Sequence, residues 1–256
     1  MTPTPTLMSV ILTRNEAANI AACIESLRWT DGILVFDSLS TDDTVTIATN
    51  LGVQVIQHPF ENYSKQRDAA LTAAECEWVF FVDADERSSA DQAKEIREVI
   101  AEPRFDGYWV PRHNYIFGKL TRFTGWYPDY QMRLLRRANA HYDTTREVHE
   151  LVILDGEAGY LKTPLTHYNY QNLRQFIDKQ ERYTAYEAHE LYRQGVRVKP
   201  QNYVLQPLRH FRWRFIQLQG YRDGLHGLTL SLLMSWYELQ KYIRLAREWR
   251  HANAAE

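Results

Sequence analysis

The sequence predicts an α/β protein built on a mostly parallel sheet, with helices on both faces of the sheet. Short apolar runs rich in strand-forming residues alternate with helix-length segments, and these runs cover residues 7–13, 33–36, 53–56 and 78–82. Strands and helices that alternate in this way form βαβ units with right-handed crossovers. We therefore expect a doubly wound sheet as the first structural unit of the chain.

The rest of the chain predicts two additions to this sheet. A smaller mixed sheet is indicated by strand-like stretches and a turn at residues 131–137, 151–154, 155–156 and 160–168. From residue 172 the spacing of apolar residues is helical, with a break around residues 195–200. We therefore expect one domain over residues 1–168 and a C-terminal helical region over residues 169–256.

Composition and charge exclude several classes of protein. The chain carries 30 basic and 32 acidic side chains, so its overall charge gives no reason to expect a nucleic-acid partner. No stretch reaches the roughly 18–20 apolar residues that span a bilayer, and the N-terminus lacks the basic segment of a signal peptide. With only Cys23 and Cys76 present, a structural disulfide is not expected. These features predict a cytoplasmic protein.

The apolar run at residues 78–82 leads directly into three acids, Asp83, Asp85 and Glu86. Ligands of open α/β sheets bind outside the carboxyl ends of the strands, which is where Asp83 and Asp85 are expected. On an extended segment these two side chains point the same way, so both carboxylates reach one Mg²⁺ or Mn²⁺ ion. The alternative is a loop in which the acids only cap the following helix.

Two phosphate-binding motifs are absent from the sequence. No G-x-G-x-x-G follows the first strand and no G-x-x-x-x-G-K-[ST] occurs, which argues against a dinucleotide-dependent dehydrogenase and a P-loop NTPase. The strand at residues 33–36 also ends in an acid, Asp37, so two acidic strand ends are expected at one edge of the sheet. A metal-dependent phosphate-ester hydrolase is disfavoured because no histidine follows Asp85 within twenty residues.

Aromatic side chains are concentrated between residues 108 and 130. Flat rings beside polar side chains suit the binding of a sugar, whose C–H faces are apolar and whose rim carries hydroxyls. The same rings suit core packing beneath a long loop equally well. The sequence leaves both interpretations open for each ring.

A basic strand is predicted over residues 131–137, and it carries Arg133, Arg136 and Arg137. Guanidinium groups at this position suit a diphosphate or an anionic acceptor, since they donate in pairs to such oxygens. The alternative for each of them is a solvated strand edge.

The C-terminal helices alternate arginine with aromatic residues. The arginines are Arg209, Arg212, Arg214, Arg222, Arg244, Arg247 and Arg250, and aromatic rings such as Phe211, Trp213 and Trp236 lie among them. This composition is typical of helices in a membrane interface, where arginine meets lipid phosphate and indole lies at headgroup depth. We expect an anionic membrane surface as a partner, which would place the protein peripherally on the inner face of the cytoplasmic membrane. The alternative is amphipathic helices packed on the rest of the protein.

Four motifs in this order resemble the family 2 inverting glycosyltransferases, which have the GT-A fold. They are SVILTRNE at residues 9–16, VFDSLSTDDT at 35–44, KQRDAAL at 65–71 and VDADE at 82–86. A narrower likeness, to the branch that adds β-linked glucose to the lipopolysaccharide inner core, is carried by later segments. These are GWYPDYQMRLLRR at residues 125–137, Val148-His149-Glu150 and Arg222-Asp223-Gly224.

The resemblance implies a UDP-sugar donor bound by the first domain. Thr13 and Asn15 would line the nucleotide pocket, and Asp37 together with Arg67 would hold the base of the nucleotide. Many members of the family have a second acid at the position of Ser38. Part of the base recognition would therefore fall to Ser38 or to backbone groups, and UDP is implied less firmly than in those members.

The resemblance also implies a metal-assisted transfer with inversion. Asp83 and Asp85 would bind the diphosphate and Mg²⁺ or Mn²⁺. An inverting transfer needs a base on the acceptor hydroxyl, and the resemblance places Asp129 in this role. Glu150 is the rival, because the His-Glu pair at a strand start equally faces the cleft.

The implied acceptor is a lipopolysaccharide-core or similar cell-envelope glycolipid, or an oligosaccharide, and the implied sugar is glucose. Two alternatives stay open at the level of the sequence. One is transfer to a polyprenyl phosphate or another envelope glycan. The other is a non-catalytic protein that binds glycans or lipids on the same fold, since fold alone does not prove activity.

Overall fold

The computed structural model of the chain describes residues 6–144 and 152–255. Its strands are Leu7–Thr13 (β1), Gly32–Asp37 (β2), Gln54–Gln57 (β3), Trp78–Asp83 (β4), Glu86–Arg87 (β5), Gly107–Ile116 (β6), Lys119–Leu120 (β7), Asp129–Arg136 (β8), Ala140–Tyr142 (β9), Val152–Leu154 (β10), Ala158–Tyr160 (β11) and Leu165–Tyr170 (β12). Its α-helices are Ile20–Ser26 (α1), Thr44–Asn50 (α2), Tyr63–Ala73 (α3), Ala90–Ala101 (α4), Leu173–Arg193 (α5), Asn202–Arg212 (α6) and Gly224–Ala255 (α7). Short 3₁₀ and π turns lie at Arg137–Asn139, Trp213–Gln217 and Gly220–Asp223.

The chain forms two compact units. The first comprises residues up to Arg112 together with Asp129–His167, and the second comprises His113–Pro128 and the residues from Tyr168 onward. The domain boundary expected after residue 168 stays a prediction, because compactness alone does not show which part of the chain folds independently.

The large sheet has the strand order β3-β2-β1-β4-β8-β6-β12-β5, with β7 and β11 paired to β6. Strands β1 to β4 run parallel to one another, as the alternation of strands and helices predicts. Strand β8 then pairs antiparallel with β4, and β6 pairs antiparallel with β8. The parallel half of the sheet therefore continues directly into a mixed half.

Helices cover both faces of the parallel strands. Alternate side chains of β1 point to opposite faces, so Leu7 and Ile11 pack in one core and Val10 packs in the other. The first core includes Ile24 of α1 and Ile96 of α4, and the second includes Leu71 of α3. Each fully buried leucine or isoleucine of this kind contributes roughly 1.5–3 kcal/mol.

Strands β9 and β10 form a separate antiparallel sheet of their own. The predicted fold class is confirmed, since the large sheet, its helices on both faces, a small second sheet and a C-terminal helical part are all present. The membership of the smaller sheet differs from the prediction, because the segments predicted for it at residues 131–137 and 160–168 mostly join the large sheet as β8 and β12. Strand β12 pairs antiparallel with β5, which places His167 opposite Glu86.

The second unit is mainly helical. Buried residues of α5 and α7, among them Phe176, Leu230 and Tyr237, form its core together with Tyr170. Over the described part of the chain, no helix combines the length and the hydropathy that crossing a membrane requires.

Candidate active site

Three parallel strands end side by side at one edge of the large sheet. Thr13 at the end of β1 pairs with Asp37 of β2, and the preceding Leu12 pairs with Asp83 of β4. The two strand-end acids expected from the sequence therefore lie on opposite sides of β1. This is the edge at which open α/β sheets bind ligands.

The acids after β4 do not cap the next helix. Helix α4 begins after Ser89, whose side chain accepts a hydrogen bond from the backbone N of Gln92 at 3.2 Å. Because this cap is complete without Asp83 or Asp85, the simpler interpretation of these acids is excluded. Their carboxylates have other partners.

The turn after β2 is held by the side chains of Asp37 and Asn15. The buried Asp37 carboxylate accepts from N and Oγ of Ser40 at 2.8 and 2.5 Å. Asn15 has a φ of +56°, which asparagine adopts more readily than most residues, and its Oδ1 accepts from N of Thr41 at 2.8 Å. Both residues therefore shape one turn at the ligand edge. Their contact with a nucleotide stays a prediction.

Ser38 takes part in a second, buried network beside this turn. Its backbone N donates to O of Thr13 at 2.8 Å, and its Oγ accepts from Nε2 of Gln66 at 3.0 Å. Oε1 of Gln66 lies 3.0 Å from Nδ1 of His58. The side chain of Ser38 is thus oriented by α3, the helix that also carries Arg67.

Arginines and acids form a continuous ion-pair network around Asp83. Nη2 of Arg67 and Nη1 of Arg133 each donate to Oδ1 of Asp83 at 3.1 Å, and Nη2 of Arg133 donates to Oδ2. Nη2 of Arg133 also donates to Oε1 of the fully buried Glu86 at 2.8 Å. Nη1 of Arg112 donates to the same oxygen at 3.1 Å, which extends the network from β4 through β8 to β6.

The two arginines beside Asp83 decide its charge. Burial by itself would raise the pKa of this carboxyl, but the positive charges of Arg133 and Arg67 outweigh burial and hold the pKa well below its usual range. Asp83 is therefore ionised at neutral pH. Both of its oxygens are occupied by guanidinium groups.

Asp129 lies at the other end of the same network. Nε and Nη2 of Arg112 donate to Oδ2 of Asp129 at 3.0 and 2.6 Å, and Nε2 of Gln131 donates to Oδ1 at 3.0 Å. The side chain keeps 24% of its surface exposed. Donors on both oxygens fix the orientation of the side chain, so Asp129 is an oriented and reachable carboxylate. These are the properties that a general base requires.

Asp85 has a different environment from Asp83. It lies in the turn between β4 and β5, and its Oδ2 is 3.4 Å from Nε2 of His167. The side chain of Asp85 is one-quarter exposed, whereas that of His167 is nearly buried. A carboxylate and an imidazole are suitable ligands for a divalent cation such as Mn²⁺. No group of three metal-ligating side chains was found in the described residues, so such a cation would also need oxygens from a ligand or water.

Two neighbouring aromatic residues of the first unit lie in different surroundings. Tyr108 is buried and its ring packs against that of Trp78. Trp109, the next residue, lines a cavity of about 110 Å³ beside Arg67 and Arg133. The alternation of β6 therefore places one ring in the core and the next beside the ion-pair network.

A comparison with known families decides the class of the protein. Residues 9–168 match the model described as Glycosyl transferase family 2. The chain belongs to glycosyl transferase family 2. The predicted family is thereby confirmed, and so are the GT-A fold and an enzyme of glycosyl transfer. The predicted inverting course is consistent with this family.

Similarity to other proteins extends over nearly the whole length of this family 2 chain. The lipopolysaccharide core biosynthesis glycosyltransferase LpsC of Rhizobium meliloti is 28% identical, over 93% of this chain and 90% of its own. An uncharacterized glycosyltransferase of Rickettsia felis is also 28% identical, over 94% of this chain and 88% of its own. Among solved structures, S. aureus TarS 1-349 in complex with UDP-GlcNAc has a TM-score of 0.47 and 14% identity, over 96% of this chain and 92% of its own.

The structure adds residues to the site that sequence reasoning did not identify. Arg112 and His167 were not singled out, and Glu86 was recognised only as a third acid after β4. No histidine follows Asp85 within twenty residues of the sequence. In the folded chain, however, β12 brings His167 next to Asp85. Glu150, the rival base, lies outside the described residues, so its role stays a prediction.

In this glycosyltransferase, Glu86→Gln is expected to lower the free energy of unfolding by roughly 3 kcal/mol or more, as when one partner of a buried ion pair is removed. The amide keeps the shape of the carboxylate but not its charge. Arg112 and Arg133 would then lose one of their acidic partners inside the fold. Urea unfolding monitored by circular dichroism measures the difference.

The matched control is Glu98→Gln on α4. Glu98 lies 4.0 Å from Lys94, and both side chains are well exposed, at 65% and 77%. This change is expected to alter the free energy of unfolding by no more than about 0.5 kcal/mol. A Glu86→Gln effect as small as that of the control would contradict a stabilising role for the network.

Proposed function

We propose that this glycosyltransferase moves glucose from a UDP-sugar to a hydroxyl of a lipopolysaccharide-core or similar cell-envelope glycolipid, with inversion at the anomeric carbon. The family assignment supports the reaction class, and the similarity to LpsC supports the acceptor class. The observation that carries the proposal is the network of Arg67, Arg133 and Arg112 at the ligand edge. It joins Asp83, where the diphosphate is expected, to Asp129, where the base is expected.

The nucleotide end of the donor is assigned to the turns after β1 and β2. Thr13 ends β1 and Asp37 ends β2, whereas Asn15 and Ser38 lie in the turns that follow these strands. The four residues therefore belong to one edge of the sheet. Arg67 on α3 donates to Asp83, and the preceding residue, Gln66, donates to Ser38. We assign base recognition to Asp37, Arg67 and Ser38, and contacts along the rest of the nucleotide to Thr13 and Asn15.

The charges of the network favour a cation beside the diphosphate. Three arginines face three carboxylates, so the network has no net positive charge with which to offset a diphosphate. Asp85 and His167 fit a Mg²⁺ or Mn²⁺ ion, and Asp83 would contribute mainly through its charge, since its oxygens accept from arginines. When bound, the cation supplies positive charge that stabilises the leaving diphosphate.

The remaining chemical step is removal of the proton from the acceptor hydroxyl. Asp129 is proposed as the base because its carboxylate is oriented by Arg112 and Gln131 and is partly exposed to solvent. Positioned bases of this kind usually contribute about 10²–10⁴-fold to the rate. Glu150 is kept as the alternative.

A screen of UDP- and GDP-sugars by thermal unfolding tests the donor. UDP-glucose with Mn²⁺ at about 100 times its Kd is expected to stabilise the protein by roughly 2.7 kcal/mol, or roughly 5–10 °C in Tm. GDP-glucose with Mn²⁺, and UDP-glucose with EDTA, serve as matched controls and should give smaller shifts. Equal shifts with GDP-glucose would contradict the assignment of UDP.

Transfer assays with the stabilising donor then test the acceptor. We expect transfer to deacylated lipopolysaccharide core, with a β-anomeric proton coupling in the NMR spectrum of the product. Transfer to a polyprenyl phosphate instead would favour the alternative acceptor. Donor binding without transfer to any envelope glycan would favour the non-catalytic alternative.

A further inference from the structure

Helix α6 and the π turn after it expose an apolar face to solvent. Val204, Leu208 and Arg212 lie in one row at i, i+4 spacing, and Leu205, Arg209 and Trp213 lie in the adjacent row. All six side chains are exposed, as is Ile216 in the π turn. We call these seven residues the α6 face.

The α6 face differs from the exposed side of an ordinary surface helix. Its five apolar side chains are between 43% and 59% exposed, whereas such helices usually direct polar residues outward. The opposite side of the helix is occupied by half-buried residues such as Tyr203, His210 and Phe211. One side of the helix is therefore already packed, and the exposed apolar residues form a second apolar side that faces solvent.

The charge around this face is of one sign. Residues 191–222 contain seven arginines and lysines and no aspartate or glutamate. Arg209 and Arg212 lie on the face itself, and no acid pairs with either of them among the residues that the structure describes. An exposed arginine without an acidic partner is free to bind phosphate oxygens from outside the protein.

This combination matches an anionic lipid surface better than it matches another protein. Apolar side chains enter the boundary between headgroups and acyl chains, arginine reaches the lipid phosphates, and an indole lies at headgroup depth. Each basic residue near an anionic bilayer adds to the attraction. The neighbouring Tyr221, 53% exposed, and Leu225, 82% exposed, extend the apolar surface past the π turn.

We propose that the α6 face binds the surface of an anionic phospholipid bilayer, with its helix axis parallel to the membrane plane. Leu208 and Ile216 enter the interface, and Arg209 and Arg212 contact lipid phosphates. The sequence predicted a membrane interface for the whole C-terminal helical region, and the proposal narrows it to these seven residues. It does not depend on which sugar or acceptor the enzyme uses.

Flotation of the full-length protein with vesicles tests the proposal. Vesicles of phosphatidylcholine containing about one-third phosphatidylglycerol are compared with pure phosphatidylcholine at low and high salt. We expect flotation with the anionic vesicles at low salt, much less at high salt and little with the neutral vesicles. Arg209→Gln with Arg212→Gln should lower partitioning by about 25-fold, since each basic residue contributes roughly a factor of five.

The double variant Leu208→Glu with Ile216→Glu should lower flotation to the level found with neutral vesicles. Its matched control is Leu173→Glu, which changes a half-exposed leucine of α5 in the same unit and should float like the wild type. Circular dichroism and thermal unfolding show that each variant is folded.

Three results would overturn the proposal. The first is absence of flotation with anionic vesicles at low salt. The second is equal flotation of the wild type and the folded α6 variants. The third is a concentration-dependent dimer, seen by sedimentation velocity without lipid, that Leu208→Glu with Ile216→Glu disperses, because a second copy would then be the partner of this face.

Discussion

Asp129→Asn is expected to lower the turnover of the enzyme by about 10²–10⁴-fold while leaving the affinity for UDP-glucose nearly unchanged. The amide keeps the size of the side chain and can still accept a hydrogen bond from Arg112, so the local structure should persist. It has no carboxylate to take the proton from the acceptor hydroxyl. The loss should therefore appear in kcat, because donor binding does not use this group.

Two measurements separate the base from a structural role. Isothermal titration with UDP-glucose and Mn²⁺ should give the same Kd for Asp129→Asn and the wild type, and transfer to lipopolysaccharide core should give the reduced kcat. Asp91→Asn, an exposed acid at the start of α4, is the matched control and should keep wild-type turnover. Near-wild-type turnover of Asp129→Asn would remove Asp129 from the base role and leave Glu150 to be tested in the same assay.

Arg112 joins the proposed base to the rest of the network. Its guanidinium donates twice to Oδ2 of Asp129. The same guanidinium donates to Glu86, which in turn accepts from the backbone N of Asp83. The proposed base and the proposed diphosphate site therefore belong to one network of charges. A change of charge at either end should affect the other end through Glu86.

The parallel part of the fold could be predicted because it depends on local pattern. Strand β1 was predicted at residues 7–13 and lies at Leu7–Thr13, and the fourth strand was predicted at 78–82 and lies at Trp78–Asp83. Apolar runs of this length, followed by amphipathic segments, specify βαβ units almost without information from the rest of the chain. The strand ends, and with them Asp37 and Asp83, followed directly.

The mixed part of the sheet could not be predicted in the same way. Pairing of β5 with β12 joins residues about eighty positions apart, and neither strand has a local signal for its partner. A two-residue strand such as Glu86–Arg87 is also too short to show any period. His167 enters the site through this pairing, and Arg112 enters it through the pairing of β6 with β8, which explains why sequence reasoning did not find them.

The C-terminal arginines were predicted as one interfacial set, and the structure divides them. Burial lowers the pKa of Arg214 to about 10, and its Nη1 donates to O of Thr124 at 2.6 Å, so this arginine is part of the fold. Arg209 and Arg212 are exposed instead. Packing on the protein therefore accounts for Arg214, the interfacial role of Arg209 and Arg212 stays a proposal, and composition alone cannot distinguish the two kinds of arginine.

Removal of the proposed cation site is expected to cause a large loss of affinity for UDP. Asp85→Ala should lower the affinity for UDP in the presence of Mn²⁺ by more than the roughly 10–100-fold that loss of an outer-shell partner usually costs. The variant loses a carboxylate that is one-quarter exposed and has no guanidinium partner in the described ion pairs, so the fold should be little affected. His167→Ala should lower the Mn²⁺-dependent affinity in the same direction.

Titration of UDP with and without Mn²⁺ shows whether the loss of UDP affinity in Asp85→Ala depends on the cation. In EDTA, Asp85→Ala and the wild type should bind UDP equally weakly, because the difference between them depends on the cation. Asp83→Asn is the informative contrast, since its carboxylate holds Arg67 and Arg133, and its loss should change UDP binding with or without Mn²⁺. If Asp85→Ala binds UDP with wild-type affinity in Mn²⁺, then Asp85 is not a ligand of the cation, and the diphosphate must be stabilised by the arginines alone.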